Sequence, residues 1–480
     1  MSMRSLRVSV VGLLAGLALV GCSDNRCRLG DPEACGGASA ARVCEDVEGV
    51  DGLGEGEGLC FEPVQLEGKV FDLASNAALA GAEVTALDVN GAPASGVART
   101  DAQGLYVLRV PTVRTGEEGA PVGKKVTLRA AAKDHVPFPA GLRPSLPIDT
   151  AAAARAEGKD SGPYVVRGQL TDVGLSPVPD AEKGRVTVSG RLSPAPAAGA
   201  LVVGETGSGT GRTVVTAVAD RAGGFTLFNV PAGSLAVSAY GQGVNYAPAT
   251  VGVQAADVKD VVLQQREGGL ATVTGSISIV AGSGQTSVVL VPEATFNAGL
   301  GRGEVPPGLR APPPPGAPSL TGGFTIEGVP PGRYAVLAAF ENDGLVRDPD
   351  PNINGTDLVL VDVAAPTTAA GQFKVTSAVS LVGPGAGDTP EVITTATPTL
   401  TWAPYSNADA YRVVVLDALG REVWRRDNLP RVTGSNNTLV YAGPALTPGA
   451  IYQWRVTALR QGERTSLSED LKGVFQLATP

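Results

Sequence analysis

Residues 348–357, DPDPNINGTD, place oxygen-bearing side chains at alternate positions, Asp350-x-Asn352-x-Asn354, and follow them with Gly355. Calcium takes about six to eight oxygen ligands, and an alternating loop with a turn-making glycine at its sixth position supplies them. Asp350, Asn352 and Asn354 are therefore the candidate metal ligands, with calcium as the ion. The twelfth position carries Val361 where a bidentate acid is wanted, and Asp348, Asp357 and Asp362 are the carboxylates nearby. The plainer reading is a polar turn, because Asp, Asn, Gly and Pro are ordinary turn residues.

Other stretches offer less chemistry. LVVGETGSGTGRT, residues 201–213, has the glycine spacing of a phosphate-binding loop, but Thr210 stands where the lysine must be. The β-branched run that follows is strand-like, so this reads as a hairpin loop. His135 is the single histidine, without a recognisable nucleophile near it in sequence, and neither G-x-S-x-G nor H-E-x-x-H occurs. No catalytic residue is assigned and no enzyme is expected. Trp424, flanked by Arg421, Arg425 and Arg426, is the candidate ligand-binding aromatic, suited to stacking on a sugar. Packing against its own sheet, beside arginine, is the competing role. Trp402 and Trp454 are assigned to the core.

The cysteines divide into one and four. Arg4 and Arg7 precede an apolar run from Val8 to Val20, the form of a secretory signal and short for a membrane-spanning helix. Leu19-Val20-Gly21-Cys22 resembles a bacterial lipobox. The resemblance implies cleavage before Cys22 and acylation of its sulfur and its freed amino group, a durable anchor because two or more chains hold where one does not. By resemblance to enterobacterial lipoprotein sorting, Ser23 in place of an aspartate implies the outer membrane or cell surface rather than the inner membrane. Cys27, Cys35, Cys44 and Cys60 remain, an even number in an exported chain, and imply two disulfides with the pairing open. They pin a segment too poor in apolar residues to hold itself together. A zinc knuckle lacks a C-x-x-C pair and a nearby histidine.

With formal charge −9 and no basic stripe, nucleic acid is excluded as a partner. Gly 63 and Pro 37 of 480 residues, with 43% hydrophobic content, describe a folded chain with many turns. Three segments repeat one pattern. A glycine (Gly68, Gly190, Gly275) opens a strand-like run. In the first two a Gly-Ala pair (Gly81-Ala82, Gly199-Ala200) leads the next run. A glycine-rich turn then precedes an aromatic: Tyr106, Phe225 and Phe324. In GRYAVLAAF, Tyr334, Val336 and Ala338 share one face while Ala335, Leu337 and Ala339 share the other. Both faces are apolar, as in a strand covered on both sides. Short strands at regular spacing predict all-β sandwiches. TAAAARAEG (150–158) predicts about two helical turns capped by Asp149 or Thr150, and PPGLRAPPPPGAP (306–318) a solvated polyproline-like loop.

These repeats resemble the carboxypeptidase regulatory-like domain, a transthyretin-type β-sandwich, well over 65–130, moderately over 186–262 and loosely over 268–363. In carboxypeptidases that domain holds no catalytic residue. TPTLTWAPYSNADAYRVVVLD and LTPGAIYQWRVTAL resemble the B, C and F strands of a fibronectin type III domain, which implies Trp402 in the core and a tyrosine corner at Leu446 and Tyr452. The expected organisation is a lipoprotein signal peptide at 1–21, a disulfide segment at 22–62, regulatory-like sandwiches at 63–185, 186–267 and 268–378, and a type III-like domain at 379–480, strung as a semi-rigid stalk. The expected function is that of a non-catalytic, lipid-anchored, extracytoplasmic module for structure, adhesion or scaffolding. Its partners are membrane lipid and a protein or glycan of the envelope. The alternative is a carbohydrate-binding surface lipoprotein.

Overall fold

The computed structural model describes residues 25–31, 34–36, 41–88, 92–139, 145–155, 162–196, 199–207, 209–220, 222–297, 301–313, 316–339, 342–348, 350–387, 389–418 and 420–479. The leader 1–21 and Cys22 lie outside them. Among the described residues the chain is all-β, and its only helical elements are 3-10 turns of three residues. No helix among them is long and apolar enough to cross a membrane.

The cysteine-rich head is a three-stranded sheet in which Glu57–Phe61 lies between Arg26–Arg28 and Val43–Glu45. Disulfides join Cys27 to Cys44 and Cys35 to Cys60. The head is built onto the next unit: Val47–Glu48 pairs with Arg114–Thr115. There Arg114, 1% exposed, forms a buried ion pair with Glu45. The guanidinium also donates to the carbonyls of Gly119 and Glu62 and lies against the rings of Phe61 and Tyr164.

Three sandwiches follow with one topology. In each, a first strand (Val64–Asp72, Val186–Ser193, Ala271–Ile279) pairs antiparallel with an aromatic-bearing strand (Leu105–Val110, Gly224–Val230, Gly323–Val329). It also pairs in parallel with the last part of its unit: Val165–Arg167 and Val173–Leu175, Val258–Gln264, and Thr367–Ser377. The repeated glycine and aromatic are direct cross-strand partners: Gly68 with Tyr106, Gly190 with Phe225, Gly275 with Phe324. A methyl group on Gly68 would lie 2.0 Å from the Thr171 carbonyl oxygen, and one on Gly190 2.0 Å from that of Val261. At Gly275 it would meet the Phe324 ring at 2.5 Å. Glycine is thus required for the close backbone approach and for the ring to lie over the strand.

The second sheet of each unit centres on Glu83–Leu87 with Lys125–Ala131, on Leu201–Thr206 with Gly233–Gly241, and on Val288–Pro292 with Gly332–Ala338. Residues 201–218 form the expected hairpin, Thr206 opposite Thr213. The fourth sandwich sets Leu381–Gly383, Thr399–Trp402 and Asn437–Val440 against a six-stranded sheet centred on Ala410–Asp417 and Ile451–Arg460. Trp402 and Trp454 are 1% and 0% exposed, their ring centroids 6.3 Å apart. The Tyr452 hydroxyl accepts from the Thr447 N–H at 2.9 Å.

Three expectations are corrected. Of the helical stretch 150–158, the described residues 150–155 hold one 3-10 turn, Thr150–Ala152, capped by the Asp149 carboxylate and ended by Ala153 in extended conformation; residues 156–158 lie outside the described residues. The proline-rich insertion is buried over its first half. Leu309 (0% exposed) enters the core, and Arg310–Ala311 pair with Val288–Val289. The Arg310 side chain donates to Pro312 O, Gly316 O and Ser287 Oγ, so the polar groups of the loop are satisfied from within.

The third correction is to the stalk. The first sandwich touches each of the other three, so the units are not linked only in chain order. Ala335, Leu337 and Ala339, on the far face of their strand, form a second core with Val289, Val291, Val305 and Ala92 of the first sandwich. Arg129 of the first unit donates to Thr216 of the second (Nη2 to Oγ1, 2.6 Å) and to Glu304 of the third (Nε to Oε1, 3.2 Å). The Thr216 hydroxyl donates to the same Glu304 oxygen at 3.0 Å. The fourth unit reaches back to the first, where the Ile451 N–H donates to Gln169 Oε1 at 3.0 Å. Beside that contact a cavity of about 90 Å³ is lined from both units, by Ile148, Val166 and Leu170 on one side and Pro390, Leu471 and Val474 on the other.

Candidate functional site

The loop between Leu345–Arg347 and Val359–Val363 is the most chemically loaded site among the described residues. Two carboxylates turn into it: Asp348 is 6% exposed and Asp350 3%. Asp350 Oδ1 accepts from the Asn352 N–H at 2.7 Å, closing a turn that Asn354 continues at φ 62°. Asp350 Oδ2 is buried and has no hydrogen-bond partner among the described residues. Gly355 closes the loop so tightly that a methyl group there would lie 2.0 Å from Asp350 O and 2.6 Å from Asp348 Oδ1. Lys374, on the neighbouring strand, donates from Nζ to Asn354 O at 2.7 Å. Burial pushes the Asp348 carboxyl up. The Asp350 N–H and the Lys374 charge pull it down, and the Asp350 charge adds to the rise.

The loop brings together only part of the expected ligand set. Asp350 is central, but Asn352 and Asn354 have exposed side chains, and so does Asp357. Asp348, outside the Asp-x-Asn-x-Asn frame, is the second inward carboxylate. The sequence signal for it was its place two residues before Asp350, the spacing that brings both carboxylates to one side of a tight loop.

Trp424 lies at the margin of the fourth core rather than on an open surface. It is half-buried, its ring meets that of Tyr441 edge to face at 5.0 Å, and Tyr441 is itself buried. Of the flanking arginines, Arg421 pairs with Asp417 at 2.6 Å and Arg425 with Asp427 at 2.9 Å.

His135 is held as a structural residue. Its Nε2 lies 2.8 Å from Asp72 Oδ2 and its Nδ1 2.7 Å from Lys133 O. Hydrogen bonds from Ser75 N–H, then from His135, hold the Asp72 carboxyl down at about 2. Asn229 of the second sandwich donates to the carbonyls of His135 and Ala132 and accepts from the Asp134 N–H. Both ring nitrogens are thus engaged within the first sandwich, and the His135 backbone carbonyl carries the contact to the second. The Ser75 hydroxyl donates to Asp72 Oδ1 at 3.0 Å, on the carboxylate rather than on the imidazole.

A second charged cluster joins the third and fourth sandwiches. Glu469 Oε1 accepts from the Gly344 N–H at 2.6 Å. Asp470 pairs with Arg455 of its own unit and, at 3.4 Å, with Arg302 of the third. Burial raises the Glu469 carboxyl well above its usual range, and the Asp343 charge adds to this. Burial also pushes Asp470 upward, but Arg302 and Arg455 outweigh it and hold that carboxyl below its usual value. Sequence reasoning missed this cluster, since neither residue belongs to a motif.

Among known proteins, the family described as the Rha78A-like N-terminal immunoglobulin domain matches residues 386–472. This segment is most of the fourth sandwich. No curated protein matches the chain. Three solved structures illustrate the remaining similarity. BcpA, the major pilin subunit of Bacillus cereus, is 11% identical, with 65% of this chain and 99% of that chain covered and a TM-score of 0.17. GBS52, the minor pilin of Streptococcus agalactiae, is 13% identical over 44% and 100%, TM-score 0.18. A DUF3823 family protein from Bacteroides ovatus is 12% identical over 43% and 98%, TM-score 0.19. Superposition at this level lends no weight to a shared function.

Proposed function

We propose that this chain is a non-catalytic structural or adhesion module of the bacterial cell envelope, tethered through acylated Cys22. The observation that carries the reading is the junction at Arg129, where side chains of three sandwiches satisfy one another. Polar groups committed to joining units in this way build a rigid body. A second such joint is made by Asn229 of the second sandwich, which bonds the backbone of Ala132, Asp134 and His135 in the first. In this reading the first three units are regulatory-like sandwiches, and the fourth is a type III-like relative of the immunoglobulin domain that its sequence matches. The lipobox resemblance supports an outer-membrane or surface location, and the net charge of −9 supports partners other than nucleic acid. Glycan binding at Trp424 is the weaker reading, because Tyr441 covers part of the ring.

Mass spectrometry of the N-terminal peptide from membrane-extracted protein tests the tether. The expected result is a peptide starting at Cys22 with acyl mass on it, and release of Cys22→Ala into the soluble fraction. Recovery of wild-type protein with an unmodified Cys22 thiol overturns it. Adhesion is tested separately, by loss of surface attachment in cells lacking the protein and its return with the wild-type chain.

A further inference from the structure

We infer that the loop 348–357 binds a divalent cation, calcium by preference, through the carboxylates of Asp348 and Asp350. Two observations converge on it. The first is the pair of buried acids at 6% and 3% exposure inside one loop closed by Gly355. The second is independent of acid content: Asp350 Oδ2 is enclosed and has no hydrogen-bond donor among the described residues. An ionised carboxylate oxygen out of reach of water and without a partner is costly to bury, and a bound cation removes that cost.

Lys374 does not do so. Its ammonium is committed to Asn354 O at 2.7 Å, and the Arg347 guanidinium, the other cation acting on Asp348, donates to Thr356 O at 3.0 Å. The available donors are all oxygens, which selects hard ions over zinc or copper. Calcium is favoured over magnesium because it accepts irregular oxygen shells, whereas magnesium demands a near-regular octahedron. The exposed Asn352 and Asp357 lie on the open side of the loop, where an entering ion keeps part of its water.

The location gives the ion a consequence. Leu345–Arg347, which leads into the loop, pairs with Thr367–Ser377. The preceding Gly344 N–H donates to Glu469 of the fourth sandwich, and the Ser377 carbonyl accepts from Ser466 of that unit. An ion in the loop stiffens the third sandwich where it meets the fourth.

The test is calorimetric titration of the EDTA-treated full chain with CaCl2 alone, and with MgCl2 for comparison. A single saturable calcium site is expected, with a dissociation constant of ~10⁻⁴–10⁻³ M, as in extracellular modules. Asp350→Asn should weaken it at least about tenfold, since one of its two ligand charges is gone. Asp427→Asn, remote in sequence and paired with arginines, should leave it unchanged. Absence of calcium-dependent heat up to about 10 mM, tenfold above the weak end of that range, overturns the proposal. So does an Asp350→Asn chain that binds like wild type. Should that variant fail to fold, hydrogen exchange on the wild-type chain decides. Amides of Asn352–Thr356 should slow on adding calcium, and unchanged exchange rejects the site.

Discussion

Gly68 has room for a hydrogen and little else. With the Thr171 carbonyl 2.0 Å from the place of a β-carbon, Gly68→Ala must push its strand away from the turn at 168–171 that joins Val165–Arg167 to Val173–Leu175. The expected loss is about 1–3 kcal/mol, the usual cost of overpacking, read as a lower midpoint in urea unfolding. Arg114 tests the opposite error, an empty partner. Arg114→Ala strands Glu45 in a buried site, for an expected loss of about 3–5 kcal/mol. The double variant Glu45→Leu, Arg114→Met should recover most of it, because the penalty comes from the unpaired charge rather than from lack of the pair. The same urea midpoint checks both. The two sites differed in legibility. The glycine and its aromatic recur at related places in three repeats, so their partnership shows in the sequence. Glu45 and Arg114 are 69 residues apart and look like any surface acid and base until the strands are paired.

At the scale of strands, alternation was readable and its meaning only half so. The segment Gly332–Ala338 is apolar on both faces. That was expected of a strand covered on both sides, but a sequence does not say what covers it. One face fills its own sandwich, with Tyr334, Val336 and Ala338, and the other the core shared with Ala92. The proline-rich insertion misled because proline content signals extended backbone without saying whether water or protein surrounds it. In the acidic loop the alternation of Asp350, Asn352 and Asn354 was readable, but not which side chains are buried: Asp348 and Asp350 are, and Asn352 and Asn354 are exposed.

The strand ends that meet at Glu469 should give a pH signature. Burial first, then Asp343 and Asp470, raises this carboxyl, opposed by the Gly344 N–H and Lys472. The folded chain therefore holds its proton more tightly than the unfolded chain does. Stability contributed by the protonated acid is present at low pH and declines as pH rises from about 4.5 through the folded-state value. Glu469→Gln should flatten this decline, seen as a thermal midpoint that changes less between mildly acidic and neutral pH than that of wild type.

At the scale of the molecule, the assembly of four sandwiches rests on a few polar junctions around small apolar contacts. Arg129→Ala removes the donor shared by Thr216 and Glu304 and leaves that glutamate half-satisfied. The expected outcome is a set of intact sandwiches that separate: a larger radius of gyration by small-angle scattering and faster proteolysis between units, with strand content by circular dichroism unchanged. An unchanged radius would show that the apolar core around Ala92 suffices. None of this arrangement was visible in the repeats, which describe each unit alone. Contacts between units use single residues, charged (Arg129), polar (Asn229, Gln169) or small and apolar (Ala92), with no spacing rule.

The return of the fourth sandwich to the first has a mechanical outcome. If the two ends of the chain are pulled apart, the expected first break is the seam where Gln169 meets Ile451, ahead of any sheet. The fourth sandwich would then swing away from the first and lengthen the molecule with every strand still paired.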